Sequence, residues 1–218
     1  MIIDCLADAH GHYPELEGGD LLIVAGDLTA QDSENEYMEK LIPWFLDNQL
    51  KYKKTIWIAG NHDNWVEKHI SPDSQLVGAE YLCDSGTEFE GLRIWGSPWT
   101  KSFPGMNPKC KAFTLDTEEE LFEKFYLIPV DTDILITHSP PHMILDELTE
   151  EGKHGGSTAL LSVVQRIRPR LHVFGHIHEA YGKTEIELRV KDNKTIFVNA
   201  SHVNEYYESV NKPIRVIL

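Results

Sequence analysis

Leu21-Leu-Ile-Val-Ala-Gly-Asp27 joins an unbroken run of five apolar residues to a glycine and a carboxylate. An unbroken apolar run predicts a strand covered on both faces, because a half-exposed strand would alternate apolar with polar residues. Ile134-Leu-Ile136 has the same character. The two runs therefore predict an α/β fold whose central strands lie between other layers of structure.

Apolar runs bounded by turn residues predict nine strands in all. They cover residues 2–7, 20–25, 54–59, 92–96, 132–137, 170–174, 184–190, 194–199 and 213–218. Asp192-Asn193 lies between the seventh and the eighth run, so these two strands are predicted to form a hairpin.

Helices are fewer, and three begin with a side chain that can cap the first turn: Ser33 with Glu36, Thr117 with Glu120, and Ser157. Pro43 lies inside the first helix, which extends towards Asn48, and should kink or divide it. Pro169 should end the third helix. The length suits one domain over residues 1–218. Because strands outnumber helices, this domain is expected to have a sheet-rich α/β core with helices outside.

The charge balance limits the partners of this chain. Twenty basic and 35 acidic residues give a net charge of −15, which disfavours duplex nucleic acid and anionic membranes. A small phosphoester substrate stays possible, because bound cations can reverse the field inside a pocket. The N-terminus does not resemble a signal peptide, and no apolar run is long enough to span a membrane. The three cysteines form no CxxC pair. Together these features predict a cytoplasmic protein with reduced thiols.

Residues that can bind a divalent cation follow five of the predicted strands. Ligand sites in α/β sheets gather where strands end, so these side chains are expected to converge. Glycine precedes three of the groups and would let the backbone approach an ion closely. The groups are Asp8 and His10, then Asp27, then Asn61-His62-Asp63, then His138, and finally His176 with His178.

With His62 and Asp63 set aside, these groups supply two carboxylates, one amide oxygen and four imidazoles. One metal ion needs fewer donors, so the set predicts two cations about 3.5–4 Å apart that share a bridging carboxylate. Nitrogen and oxygen donors without a thiolate suit Mn, Fe, Zn or Ni, and Mn is the favoured choice.

The same residues resemble a known family. Asp8-Ala-His10, Gly26-Asp27, Gly60-Asn-His-Asp63, Thr137-His138 and Gly175-His-Ile-His178 resemble, in order, the five signature blocks of the calcineurin-like metallophosphoesterases. Trp95-Gly-Ser-Pro98, Thr137-His-Ser-Pro-Pro141, Gly155-Gly-Ser-Thr-Ala-Leu160 and Val198-Asn-Ala-Ser201 resemble its metallophosphoesterase-domain-containing subgroup, which includes class III-type cyclic-nucleotide phosphodiesterases. The resemblance implies a four-layer α/β/β/α sandwich with mixed sheets.

The resemblance also implies roles for the individual residues. Asp8, His10, Asp27 and His178 would bind one metal ion. Asp27, Asn61, His138 and His176 would bind the second ion, with Asp27 bridging the two. His62 would be the general acid, oriented by Asp63, in a phosphodiesterase that attacks a small nucleotide or a similar diester with a metal-bridging hydroxide.

Two other functions stay open: a nucleotide phosphomonoesterase, and a metal-binding scaffold that keeps the fold without turnover. A Ser/Thr protein phosphatase is disfavoured, because relatives of that kind carry Asp-Arg-Gly where this chain has Leu28-Thr-Ala-Gln31. The net charge works against a DNA nuclease. The sequence leaves the oligomeric state open.

Substrate contacts are expected from the loops at residues 64–91, 99–116 and 140–156, because loops usually supply pocket walls. His142 and His154 lie in the loop that follows His138, and His12 follows the first block. Trp99 is a candidate for stacking on a nucleobase.

Overall fold

The computed structural model describes residues 1–71, 75–76, 78–102, 110–149, 152–188 and 194–218. The strands in chain order are β1 (Ile2–Leu6), β2 (Gly19–Ala25), β3 (Tyr52–Ile58), β4 (Gln75–Leu76), β5 (Ala79–Tyr81), β6 (Ser85–Phe89), β7 (Leu92–Ser97), β8 (Thr100–Lys101), β9 (Thr114–Leu115), β10 (Ile134–Thr137), β11 (Leu171–Phe174), β12 (Gly182–Glu187), β13 (Lys194–Asn199) and β14 (Ile214–Ile217). The α-helices are α1 (Glu34–Glu36), α2 (Ile42–Asn48), α3 (Asn64–His69), α4 (Glu118–Phe125) and α5 (Thr158–Ile167).

Two six-stranded mixed sheets have the same construction. The first sheet has the order β14-β1-β2-β3-β5-β4, and the second has the order β12-β13-β11-β10-β7-β6. In each sheet the four central strands are parallel, and an antiparallel strand closes each edge. The carboxyl ends of the parallel strands therefore meet along one edge of each sheet.

Side chains on neighbouring positions of β2 pack into different layers of the core. Leu21 and Ile23 lie between the two sheets, whereas Leu22 and Val24 contact the cluster that covers the helix side of the first sheet. Both sets are fully buried, which accounts for the unbroken apolar run. Burying a side chain of this size contributes roughly 1.5–3 kcal/mol to folding.

The helices cover the outer faces of the two sheets. A cluster that includes Tyr37, Trp44 and Val66 joins the first sheet to α2, α3 and the turn before α2, while Leu121 and Leu160 join α4 and α5 to the second sheet. The order of layers is α/β/β/α. This arrangement confirms the predicted four-layer sandwich with mixed sheets.

The helix predicted from Ser33 towards Asn48 is divided, as Pro43 led us to expect. A π-helical turn at Tyr37–Leu41 separates α1 from α2, and Pro43 lies in the first turn of α2. Proline lacks an N–H to donate, so the first turn of a helix accommodates it. The reciprocal capping bonds between Thr117 and Glu120 are present at α4.

The region between residues 64 and 91 differs most from the prediction. It was expected to be loop, but it contains α3, β4, β5 and β6. These elements are short or lack an apolar run, so their sequence carried no periodic signal. Strands β12 and β13 pair antiparallel as the predicted hairpin requires, and the predicted turn at Asp192-Asn193 lies outside the described residues.

Among the helices described here, none combines the length and the apolar character that crossing a lipid bilayer requires.

Candidate metal centre

Loops from both sheets bring the candidate ligands to one place. The loops after β1, β2 and β3 come from the first sheet, and those after β10 and β11 come from the second. Four candidate ligands have left-handed backbone conformations: φ is 49° at Asp8, 41° at His10, 55° at Asp27 and 71° at His176. Such strain concentrates at functional sites, where the surrounding structure holds it in place.

The first group of donors consists of Asp8, His10 and His178. The Nε2 atoms of His10 and His178 lie 3.4 Å apart, and His178 Nε2 lies 3.6 Å from Asp8 Oδ1. The other oxygen, Asp8 Oδ2, accepts hydrogen bonds from the His176 backbone N–H at 2.8 Å and from Ser201 Oγ at 2.6 Å. One carboxylate oxygen is thereby anchored, while the other faces the two imidazoles.

The second group of donors consists of Asn61, His138 and His176. His138 Nε2 lies 3.0 Å from Asn61 Oδ1, and His176 Nδ1 lies 2.9 Å from the same oxygen. Asp27 Oδ2 connects this group to the first, because it lies 3.3 Å from His138 Nε2 and 3.8 Å from His10 Nε2. Asp27 therefore lies between the two groups of donors.

The spacing of these atoms fits metal ions. Two donors bound to one ion at about 2.1 Å lie roughly 3.0–3.4 Å apart at right or tetrahedral angles. The separations within the two groups, from 2.9 to 3.6 Å, fall close to that range. Ligand atoms from Asp8, Asp27 and His138 also lie within 4.8 Å of one another, as do those from His10, Asp27 and His62.

Hydrogen bonding supports the same conclusion. His138 Nδ1 lies 2.9 Å from the carbonyl oxygen of Ala25, which can only accept, so Nδ1 carries the proton. In the neutral ring the lone pair of Nε2 then faces the oxygens of Asn61 and Asp27. Three electron-rich atoms directed at one point are favourable only with a metal ion or a proton between them.

The pKa values indicate which imidazole carries a positive charge when no metal ion is bound. Burial opposes protonation of His138, but the negative charge of Asp27 outweighs it and raises the pKa of His138 to about 9. Burial lowers the pKa of His10 to about 4 and that of His176 to about 3. These two imidazoles are neutral at pH 7, the form in which histidine binds metals.

The His62 ring lies at the edge of this cluster. Its Nε2 atom is 3.9 Å from Asp27 Oδ2, and its Nδ1 atom is 3.2 Å from Cys110 Sγ. The backbone N–H of His62 donates to Asp27 Oδ1 at 2.8 Å. These contacts place the ring beside the bridging carboxylate.

Asp63 has different partners from those expected. We predicted that it orients the His62 ring, but its buried carboxylate accepts hydrogen bonds from the backbone N–H groups of Asp27 and Gly60 and from the Tyr37 hydroxyl, at 2.8–2.9 Å. These partners belong to the loops that follow β2 and β3 and to the turn before α2. Asp63 therefore fixes the backbone that carries the ligands, and Cys110 is the side chain next to His62 Nδ1.

The candidate substrate contacts are dispersed. His12 is exposed, and its backbone N–H donates to the carbonyl of Ala9. His142 and His154 form a separate group around the buried Asp146, whose Oδ1 lies 2.8 Å from His154 Nδ1.

Trp99 is held by its own neighbours. Its indole N–H donates to Asp84 at 2.7 Å, and Lys124 Nζ lies 4.1 Å from the ring centroid. The Phe113 ring contacts it in a T-shaped arrangement. These contacts favour a packing role over stacking on a nucleobase.

Several residues that support the site were assigned no role from the sequence. Ser201 donates to Asp8, and the Asn204 carbonyl accepts from His178 Nδ1 at 3.1 Å. Ser201 ends the Val198-Asn-Ala-Ser201 stretch and Asn204 follows it, so that stretch was the available signal. Cys110 and Tyr207 had no local signal, because neither belongs to a recognisable motif.

A pocket of about 280 Å³ opens at the cluster. A pocket of this size suits a small molecule. Besides the candidate ligands and His62, its wall is formed by Lys101, Cys110, Thr114, Leu148, Ile177, Glu179, Glu205 and Tyr207.

Replacing Gly60 with alanine is expected to disrupt the second metal site. A Cβ atom at this position would overlap Asp27 Oδ1 and lie 2.6 Å from His138 Cε1. We expect Gly60→Ala to reduce metal affinity about 10–100-fold, as measured by metal titration of the apoprotein. Gly91→Ala is the control, because Gly91 has φ of +79° but nothing within 4 Å of its Cβ position. This variant should lose ~1–2 kcal/mol of stability and keep its metal affinity. Equal metal affinities in the two variants would contradict the close packing inferred at Gly60.

Comparison with known proteins assigns the family. The family model described as calcineurin-like phosphoesterase matches residues 2–180. The chain is 36% identical over 241 residues to metallophosphoesterase domain-containing protein 1 of Homo sapiens, covering 98% of this chain and 70% of that protein.

Solved structures show the same fold at low sequence identity. One crystal structure aligns with a TM-score of 0.64 and 16% identity over 91% of this chain and 89% of the other. The crystal structure of TT1561 of Thermus thermophilus aligns with a TM-score of 0.55 and 14% identity over 92% of this chain and 90% of the other. The chain therefore belongs to the calcineurin-like phosphoesterase family of metal-dependent enzymes with a dinuclear metal centre.

Proposed function

We propose that this metal-dependent phosphoesterase is a phosphodiesterase that acts on a small nucleotide or a similar small diester. The observation that carries the proposal is the position of Asp27. Its Oδ2 atom lies within 3.9 Å of the rings of His10, His62 and His138. Two ligand groups thus share one carboxylate, with a further imidazole beside it.

The charge of the pocket wall favours a diester over a monoester. Among the described residues that line the pocket outside the candidate ligands and His62, Lys101 is cationic and Glu179 and Glu205 are anionic. A phosphomonoester carries close to two negative charges at neutral pH, whereas a diester carries one. An acidic wall repels the monoester more strongly.

Each ligand group would hold one cation, the first through Asp8, His10, Asp27 and His178, and the second through Asp27, Asn61, His138 and His176. When bound, the cations supply hydroxide from water at neutral pH and offset the charge of the phosphate. The donors are imidazoles, carboxylates and an amide, a set that suits Mn, Fe, Zn or Ni, and of these we propose Mn as the native metal.

His62 is proposed to protonate the departing oxygen. Alkoxides leave poorly without a proton, so a donor at this position accelerates the reaction. The hydrogen bond from the His62 backbone to Asp27 fixes the base of the side chain beside the bridging carboxylate. Cys110 Sγ contacts His62 Nδ1, while His62 Nε2 faces the Asp27 side of the pocket. Nε2 is therefore the atom that carries the transferred proton.

A cytoplasmic location and a small-molecule substrate are part of this proposal. The chain has three cysteines and no CxxC pair, which supports a reducing compartment. The net charge of −15 supports a small substrate over duplex nucleic acid.

A substrate panel tests the proposal. With Mn added, we expect kcat/KM for bis-nitrophenyl phosphate to exceed that for nitrophenyl phosphate by roughly tenfold or more, and at least one of the 2′,3′- and 3′,5′-cyclic nucleotides to be hydrolysed. EDTA should abolish turnover, and Fe, Zn and Ni should restore less activity than Mn. Preference for the monoester would support the nucleotide phosphomonoesterase. Metal binding without hydrolysis of either nitrophenyl ester would support a scaffold.

A further inference from the structure

The Tyr207 ring lies against imidazole rings of the candidate metal centre. Its ring centroid lies 4.9 Å from that of His10, 5.3 Å from that of His178 and 6.1 Å from that of His62. The rings of His10 and His178 meet it nearly at right angles. Tyr207 is 41% exposed and lines the pocket, so part of its surface is available to a substrate bound at the centre.

The backbone around Asn204 fixes the position of Tyr207. The Asn204 carbonyl accepts hydrogen bonds from the Tyr207 N–H at 2.9 Å and from His178 Nδ1 at 3.1 Å. Asn204 Oδ1 accepts from the backbone N–H groups of Tyr206 and Glu208. Tyr207 itself has φ of +62°, a strained conformation for a bulky residue. One carbonyl therefore connects a candidate metal ligand to the backbone of an aromatic residue at the pocket.

The same wall carries an excess of negative charge. Glu179 and Glu205 line the pocket together with Tyr207. Lys101 is the opposing charge, but its Nζ atom lies 3.5 Å from Glu118 Oε1, which offsets it. Aromatic faces attract cations through their quadrupole, and carboxylates attract them by charge.

We propose that Tyr207, with Glu179 and Glu205, selects phosphodiesters whose alcohol portion carries a positive charge. This inference rests on the proposed phosphodiesterase function and names the class of diester. The phosphate lies at the metal centre, and the cationic group of the esterified alcohol lies against the Tyr207 ring and the two carboxylates. A neutral alcohol of the same shape lacks both attractions and binds more weakly.

A pair of isosteric substrates tests the inference. Nitrophenyl phosphocholine and nitrophenyl 3,3-dimethylbutyl phosphate have the same leaving group and nearly the same shape, and they differ in one positive charge. We expect the Mn-loaded protein to prefer the choline ester roughly tenfold in kcat/KM, mainly through KM, and the preference to decline as NaCl is raised. Tyr207→Leu and Glu205→Gln should each move the ratio towards one, whereas Tyr207→Phe should retain most of it.

Glu39→Gln is the matched control, because Glu39 is exposed on the Tyr37–Leu41 turn and does not line the pocket. It should keep the wild-type ratio. Calorimetric titration of the Mn-loaded protein with phosphocholine and 3,3-dimethylbutyl phosphate measures the same preference without turnover. Equal affinities and equal kcat/KM for the two alcohols, or a preference unchanged in Tyr207→Leu and Glu205→Gln, would overturn the inference. Failure to hydrolyse either nitrophenyl diester, with the binding preference intact, would reject the proposed function and leave the selectivity standing.

Discussion

Replacing His62 with alanine is expected to lower kcat for a diester with an alkoxide leaving group by about 10²–10⁴-fold. The loss should be much smaller for a nitrophenyl ester, because nitrophenolate leaves without a proton. The backbone hydrogen bond from residue 62 to Asp27 does not depend on the imidazole, so the variant should keep its metal ions. Rates on both substrates and metal content by mass spectrometry provide the measurement.

Two outcomes would count against His62 as the acid. Equal losses on both substrates would show that the ring acts in another way, such as holding the phosphate. Loss of metal together with activity would place His62 among the ligands, in agreement with the proximity of its donor atom to His10 and Asp27. Cys110→Ser is the companion variant: because it alters only the Nδ1 contact, it should show a smaller loss with the same dependence on the leaving group.

Replacing Asp63 with alanine is expected to destabilise the protein by about 3–5 kcal/mol. The buried carboxylate accepts from the backbone N–H groups of Asp27, Leu28 and Gly60 and from the Tyr37 hydroxyl, and each donor left without a partner costs ~1–3 kcal/mol. Burial and then the negative charge of Asp27 raise the pKa of Asp63 to about 7, so a cation bound at Asp27 also favours the ionised form of Asp63. Urea denaturation in EDTA measures the effect on the metal-free protein.

Graded variants separate this role from orientation of His62. Asp63→Asn keeps one acceptor oxygen and should lose less stability than Asp63→Ala. Tyr37→Phe removes one hydrogen bond to a charged group and should lose roughly 1.5–3 kcal/mol. Wild-type stability in Asp63→Ala, with a loss of activity like that of His62→Ala, would restore the original interpretation that Asp63 orients the ring.

The central strands could be predicted because their signal is local. β2 and β10 are buried on both faces, so their apolar runs are unbroken and their boundaries were placed within about two residues. β6 has no such signal: Ser85-Gly-Thr-Glu-Phe89 is partly exposed throughout and gains its structure by pairing with β7. The π-helical turn before Pro43 likewise has no distinct sequence pattern, although the division of the helix could be expected.

The candidate ligands could be named because each follows a strand, and strands in parallel sheets end along one edge. Their detailed roles depended on contacts between distant parts of the chain. Asp8 is held by Ser201, 193 residues later, and His62 contacts Cys110, 48 residues later. No local pattern links the members of either pair.

The sequence alone determined the sheet-rich α/β core, the order of the loops that carry the candidate ligands and the chemical types of the donors, because each depends on neighbouring residues and on strand ends. The four layers followed from the family resemblance. Tertiary structure decided which atoms face one another. It paired Asp63 with backbone N–H groups of the loops that follow β2 and β3, and it brought Cys110 to the His62 ring. It also placed the Tyr207 ring against the rings of His10 and His178. The physical reason is that the packing of two sheets and the left-handed backbone turns at their edges set these contacts, and both arise only when the whole chain is folded.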